Sequence, residues 1–128
     1  MALRAPLAVY LGKPEEGERW ATRAIALNPH HPDWYATNLG LALYMLGRYD
    51  DAVAAYAMVA EPQVGILAGL AASHAQAEND QAAADAKKRL LALAPSFSAC
   101  RFVDSKPFRH DADRQHLLRG LEKAGLPF

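Results

Sequence analysis

The stretch of residues 38–56 constrains the fold of this chain more than any other part of its sequence. A short Gly-Arg-Tyr-Asp segment at residues 47–50 joins two apolar segments there. Small residues, Gly40 and Ala52, occupy positions where two helices must approach each other closely. The larger residues that fill the space between the helix axes are Leu39, Leu43, Tyr49 and Tyr56. This pattern predicts a hairpin of two packed α-helices, which needs stacked neighbours to bury its apolar face.

These residues resemble the tetratricopeptide repeat, a motif of about 34 residues with a Leu-Gly pair on its first helix and an Ala-x3-aromatic pair on its second. Leu39-Gly40 and Ala52-x3-Tyr56 match that pattern. Ala36 stands where the family has an aromatic residue, three positions before the Leu-Gly pair. The resemblance implies repeated helix hairpins and a role in binding other proteins.

Weaker copies of the motif lie on both sides of this hairpin at a similar period. Upstream, Gly12 marks a turn before a predicted helix over residues 15–27. Downstream, Leu70-Ala71 replaces the Leu-Gly pair and precedes a predicted helix over residues 81–93. The predicted repeats are residues 1–31, 32–62 and 63–95.

The repeat pattern stops after Pro95, and residues 96–128 have a different character. Apolar residues recur at helical spacing, Pro107 interrupts them, and a last helix is predicted to end before Gly125. We expect this segment to cover the open face of the last repeat. The predicted fold is therefore all-α, a short right-handed solenoid of antiparallel helix hairpins with a C-terminal helical cap.

Acidic residues supply the predicted starts of three helices. A carboxylate just before a helix can accept hydrogen bonds from its first backbone N–H groups. The predicted N-cap residues are Asp33 for a helix over residues 34–46, Asp80 for residues 81–93, and Asp111 for the last helix.

Charge and cysteine content narrow the class of protein. The chain has 14 basic and 14 acidic residues, a balance that argues against general electrostatic binding to nucleic acids or anionic membranes. No apolar run approaches the roughly 20 residues needed to span a bilayer. The single Cys100 cannot form an internal disulfide, which fits a reducing compartment. We predict a cytoplasmic protein without a cofactor.

The sequence predicts no catalytic residues and no metal site. It contains no His-Glu-x-x-His, no glycine-rich phosphate loop and no Gly-x-Ser-x-Gly. Asp111, Asp113 and His116 lie close in sequence, but a solvated helix start explains them. Cys100 lies beside Arg101, which favours a thiolate, although a cysteine of this kind usually packs as a small apolar residue. A small metal- or thiol-dependent enzyme remains the alternative, which bound metal or thiol reactivity would reveal.

A peptide-binding groove is the favoured functional hypothesis, because the first helices of stacked hairpins line a curved face. An Asn amide there can pair with a peptide backbone, and aromatic and Met side chains offer adaptable apolar contacts. The predicted peptide-binding residues are Trp34, Asn38, Leu41, Tyr44 and Met45. In the alternative interpretation these side chains pack against a neighbouring repeat or the C-terminal cap.

The C-terminal segment carries a second, narrower resemblance. Ser105-Lys-Pro-Phe-Arg, followed by Asp111-x-Asp-Arg and Leu121-x-Lys-Ala-Gly-Leu-Pro, is similar to the C-termini of bacterial proteins that join a class III adenylate/guanylate cyclase domain to tetratricopeptide repeats. The resemblance implies a scaffolding or regulatory part of a signalling protein, with a protein or peptide partner.

Self-association is a further hypothesis. The predicted first helix, residues 2–11, has nothing in the sequence to cap its outer face, so it is expected to pair with another copy and form a homodimer.

Overall fold

The computed structural model describes residues 8–28, 30 and 33–128, and all regular secondary structure in these residues is helical. Residues 8–10 are helical. The helices that follow are α1 (Pro14–Leu27), α2 (Asp33–Met45), α3 (Tyr49–Tyr56), α4 (Val64–Gln76), α5 (Asp80–Leu93), α6 (Ala99–Asp104) and α7 (Asp111–Lys123). The all-α prediction is thus confirmed for the described part of the chain. Residues 2–7 of the predicted self-association helix lie outside it.

The predicted helices over residues 15–27, 34–46 and 81–93 are present, but the three predicted N-caps are wrong. Asp33 is itself the first residue of α2. Asn79 and His110 precede α5 and α7, and neither side chain makes a capping hydrogen bond. Asp80 and Asp111 instead lie inside the first turn of each helix. Their carboxylates still lie near the positive end of the helix dipole, so the favourable charge remains although the capping hydrogen bond is not made.

Three turns between helices share one geometry. Gly12, Gly47 and Glu78 have left-handed backbones, with φ of 84°, 77° and 65°. The next residue of each turn donates a backbone hydrogen bond to the carbonyl five positions earlier, at 2.8, 2.9 and 2.8 Å. This is a common way for a helix to end, and glycine is the usual left-handed residue. The third turn therefore repeats the first two despite having glutamate where they have glycine.

Tyr56, at the end of α3, is the side chain about which α2 and α4 come together. It is 3% exposed. Gly40 of α2 and Gly69 of α4 both face its ring: a Cβ added at Gly40 would meet ring carbons at 2.5 to 2.7 Å, and one at Gly69 would meet the ring carbon Cε2 at 2.7 Å. Both distances are too short for real side chains, so each glycine is needed for the close approach.

The C-terminal helix α7 packs most extensively against α4 and also contacts α6 and α2. Its buried residues are Leu117, Leu118, Gly120 and Leu121. Beyond α7 the chain returns to α6, where the backbone N–H groups of Ala99 and Cys100 donate to the carbonyl oxygens of Pro127 and Phe128, at 2.7 and 3.1 Å. We call residues 99–128 the tail unit.

Candidate functional site

The face of α2 and α4 that meets the tail unit is the candidate site, and we call it the α2–α4 groove. α2 and α4 contact each other, and α3 packs against both. Small residues on α4 leave room above the groove floor for another helix. The groove is lined by Leu41, Tyr44, Gly65, Gly69, Ala72 and Gln76.

The five predicted peptide-binding residues do not form one open surface. Tyr44 is only 1% exposed and Leu41 8%, and both belong to the core. Asn38 and Met45 are half-buried, and Trp34 is 40% exposed. The tail unit explains why Tyr44 is buried and Trp34 is exposed, because α7 lies over Tyr44 whereas Trp34 lies at the other end of α2.

Tyr44 is held by polar contacts at the floor of the groove. Its hydroxyl donates to the backbone carbonyl of His116 on α7 at 2.6 Å, and the amide Nε2 of Gln76 donates to the same hydroxyl at 3.2 Å. Burial raises the pKa of Tyr44 far above its usual value, so the phenol stays protonated and can act as a donor.

Gly120 allows α7 to lie this close to the groove. A Cβ at this position would overlap the Tyr44 hydroxyl and would come within 2.9 Å of the Cβ of Ala72. Both of those groups belong to the groove floor, and Tyr44 is almost fully buried. Contact between α7 and the groove therefore depends on the absence of a side chain at Gly120.

His116 lies beside Tyr44 and Tyr49 at the edge of the groove. Its Nε2 atom is 2.8 Å from the Tyr49 hydroxyl, and its ring centroid is 4.5 Å from that of Tyr44. Burial lowers the pKa of His116; Asp113 acts in the opposite direction and Arg119 in the same direction as burial. The neutral imidazole is thus the form that fits this site near neutral pH.

The stability of the chain should therefore decrease as the pH falls below neutrality. The unfolded chain protonates His116 near the usual pKa of 6.5, whereas the folded chain takes up that proton only at lower pH. The neutral His116 side chain makes its full contribution to the free energy of unfolding above pH 6.5. That contribution is lost as the pH falls through 6.5, and the loss levels off below the folded-state pKa. The difference between the urea unfolding midpoints at about pH 7.5 and about pH 5 measures this loss of stability.

Substitutions separate the contribution of His116 from the general effect of acid. His116→Gln should reduce the pH dependence, and His74→Gln should reduce it further, because burial also lowers the pKa of His74. His30→Gln, in an exposed turn, is the control and should leave the dependence as it is. If His116→Gln retained the whole dependence, burial of this imidazole would not be its cause.

The other end of the groove is open. A cavity of about 40 Å³ lies there between α2, α4 and the tail unit, lined in part by Thr37, Gly65 and the Tyr56 ring. Lys106 closes one side, with its ammonium 4.6 Å above the Phe102 ring, and burial lowers its pKa. A cavity of this size holds about one to three water-sized groups, the tip of a ligand side chain for example.

Gly65 lies at the mouth of this cavity and has free space in front of it. A Cβ built there meets no heavy atom within 4 Å. Trp34, at the same end of α2, stacks on Trp20 of α1 with ring centroids 5.8 Å apart. The N-terminal half of α2 therefore carries both a stacked, partly exposed tryptophan and Thr37, which lines the cavity.

Sequence reasoning missed Gln76, His116 and Gly120 as parts of the site. Gly120 interrupts the leucine stripe of the last helix, and a glycine within an apolar stripe is a signal of close helix approach. No comparable signal marked His116, whose partner Tyr49 lies 67 residues away in sequence.

Nothing in the described residues assembles a metal site, since no three His, Cys, Asp or Glu side chains come close enough to share an ion. Cys100 is half-buried.

In residues 8–28, 30 and 33–128, no helix is both long and apolar enough to cross a bilayer. Comparison of the chain with protein-family models, with curated proteins and with solved structures gave no match.

Proposed function

We propose that this chain is a non-catalytic protein-interaction module of the tetratricopeptide-repeat type, a short right-handed solenoid of helix hairpins. The shared turn geometry supports repetition, because the left-handed residues Gly12, Gly47 and Glu78 follow one another at intervals of 35 residues (12 to 47) and 31 residues (47 to 78). Hairpins with the same turn at such intervals are expected to stack in the same sense.

The observation that carries the proposed function is the position of α7 across α2 and α4. In a repeat of this type the first helices of successive hairpins line the binding face, and in the proposed repeat those helices are α2 and α4. This face already accommodates one helix, with a buried polar group, the Tyr44 hydroxyl, that hydrogen-bonds to its backbone. A surface with these properties is suited to binding a peptide.

A protein or peptide is therefore the proposed partner class. The similarity of the C-terminal segment to cyclase-linked repeat proteins supports a more specific proposal: that the module is a scaffolding or regulatory part of a bacterial adenylate cyclase-like signalling protein in the cytoplasm.

Selection of ligands from a displayed random-peptide library, with the full chain as the target, tests the proposed function. Selected peptides should bind in the groove, so Gly65→Glu, which places a side chain at the mouth of the cavity, should weaken their binding by roughly tenfold or more. The free space around Gly65 should let the variant fold normally.

Ala84→Glu is the matched control, because Ala84 is exposed on α5, away from the groove. Peptide affinity for this variant should stay within about twofold of the unsubstituted chain. The proposal fails if no peptide is recovered, or if both variants bind the recovered peptides as well as the unsubstituted chain does.

A further inference from the structure

We propose that α7 is an internal competitor in the α2–α4 groove, and that the ligand it excludes is an amphipathic helix of another protein with a glycine between leucines on its apolar face. This inference rests on the proposed function, since it names the partner and the regulation of the same groove. Gly120 and the leucines around it are the template for that ligand.

The first step is steric. The groove floor below Gly120 consists of the Tyr44 hydroxyl and the Ala72 methyl, both buried. A Cβ on the incoming helix would overlap the hydroxyl, so only glycine fits at the crossing point. Alanine, the next smallest residue, is already excluded, which makes the groove selective for one residue type at one position.

The second step concerns hydrogen bonding. The Tyr44 hydroxyl donates to a backbone carbonyl of α7, that of His116, and Gln76 holds the hydroxyl in place. Every helix has a carbonyl four positions before its glycine, so this contact requires no particular side chain. Leu117, Leu118 and Leu121 provide the remaining buried contact area. An apolar helix with a suitably placed glycine can therefore reproduce these interactions.

Contacts outside the groove also hold α7 in place. The ion pairs of Arg114 with Asp104 and Asp111 are exposed, and exposed ion pairs contribute little to stability. The segment before α7 adds one backbone hydrogen bond, from Arg109 to the carbonyl of Tyr10 at 2.8 Å, and an edge-to-face contact of the Phe108 ring with Tyr10. α7 also packs against α6, and its His116 ring is hydrogen-bonded to the Tyr49 hydroxyl of α3. Its most extensive packing is nevertheless with the groove helix α4, and a second helix could take over those contacts.

Covalent attachment gives α7 its advantage over such a ligand. A tethered segment acts at an effective concentration of the order of millimolar, so a free helix of equal fit binds only weakly while the tail is docked. Undocking of α7 should therefore raise the affinity of the groove for a free helix.

The test uses a fluorescent peptide of residues 107–128 and the full-length chain with Gly120→Ala. The added methyl should displace α7, and the variant should bind the peptide roughly tenfold or more tightly than the unsubstituted chain does. Arg119→Ala is the matched control, because Arg119 is exposed on the same helix and its loss leaves α7 docked. A peptide that itself carries Gly120→Ala should bind to none of these chains.

Interproton contacts measured by nuclear magnetic resonance distinguish undocking of α7 from unfolding of the whole chain. In Gly120→Ala the contact between the Tyr44 ring and residue 120 should disappear, whereas those of Tyr56 with Gly40 and Gly69 should persist. Global loss of contacts would overturn the inference, because α7 would then be an indispensable part of the core. So would retention of the Tyr44 contact, or undocking without a gain in peptide affinity.

Two outcomes keep this inference distinct from the proposed function. If the affinity for the tail peptide does not rise while library peptides remain sensitive to Gly65→Glu, only the role of α7 is wrong. If the unsubstituted chain forms dimers by exchange of α7 between copies, seen as a doubled mass that Gly120→Ala abolishes, the occupant is a second copy rather than another protein's helix, and the choice of partner is overturned.

Discussion

Replacement of Tyr56 by alanine should lower the free energy of unfolding by about 3–5 kcal/mol, the range for removal of a large buried aromatic side chain. The ring is 3% exposed and is in close contact with Gly40 and Gly69, so its loss leaves a cavity that two helices line. Glycines at both contact positions offer no side chains to refill the space. Urea unfolding monitored by circular dichroism gives the free energy.

Phe128→Ala is the control for this measurement, because the Phe128 side chain is 61% exposed. Its effect should stay within about 0.5 kcal/mol. If Tyr56→Ala cost less than about 1 kcal/mol, the groove floor would collapse readily into the vacated space, and the packing of α2 against α4 would not depend on Tyr56.

Two glycines one turn apart on α4 should respond oppositely to the same substitution. Alanine generally stabilises a helix relative to glycine, by up to about 1 kcal/mol. Gly65→Ala should follow that rule, because its added Cβ meets no atom within 4 Å. Gly69→Ala should instead destabilise by about 1–3 kcal/mol, because its Cβ would overlap the Tyr56 ring in a packed core.

The pair forms its own control, since helix, residue type and substitution are the same at both positions. Thermal and urea unfolding of the two variants, measured side by side, should differ in sign relative to the unsubstituted chain. Equal shifts at the two positions would mean that the helix preference for alanine outweighs the contact with Tyr56.

Local sequence patterns predicted the helices well because they depend on neighbours along the chain. The predicted helix over residues 34–46 is observed as Asp33–Met45, and that over residues 81–93 as Asp80–Leu93. The errors at Asp33, Asp80 and Asp111 are shifts of one residue, the usual uncertainty at helix ends. The left-handed backbone of Glu78 could not be predicted locally, because glutamate is not a residue that usually adopts it.

The candidate site could be predicted only in part, because its geometry depends on contacts between distant residues. Periodicity placed Leu41 and Tyr44 on an apolar stripe of α2, but it does not say what covers that stripe. The cover is α7, whose His116 lies 72 residues beyond Tyr44. In the alternative interpretation the predicted peptide-binding side chains pack against a neighbouring repeat or the C-terminal segment. Tyr44 is buried under α7, and Trp34 stacks on Trp20 of α1 while keeping 40% of its surface exposed.

The backbone hydrogen bonds of Ala99 and Cys100 to Pro127 and Phe128 affect how the groove could open. They join the far end of the tail unit to its beginning, so α7 has no loose end from which to peel. Opening the groove would therefore mean lifting α6 and α7 together. Access to the groove would then be an all-or-none event, slower than the fraying of a helix end.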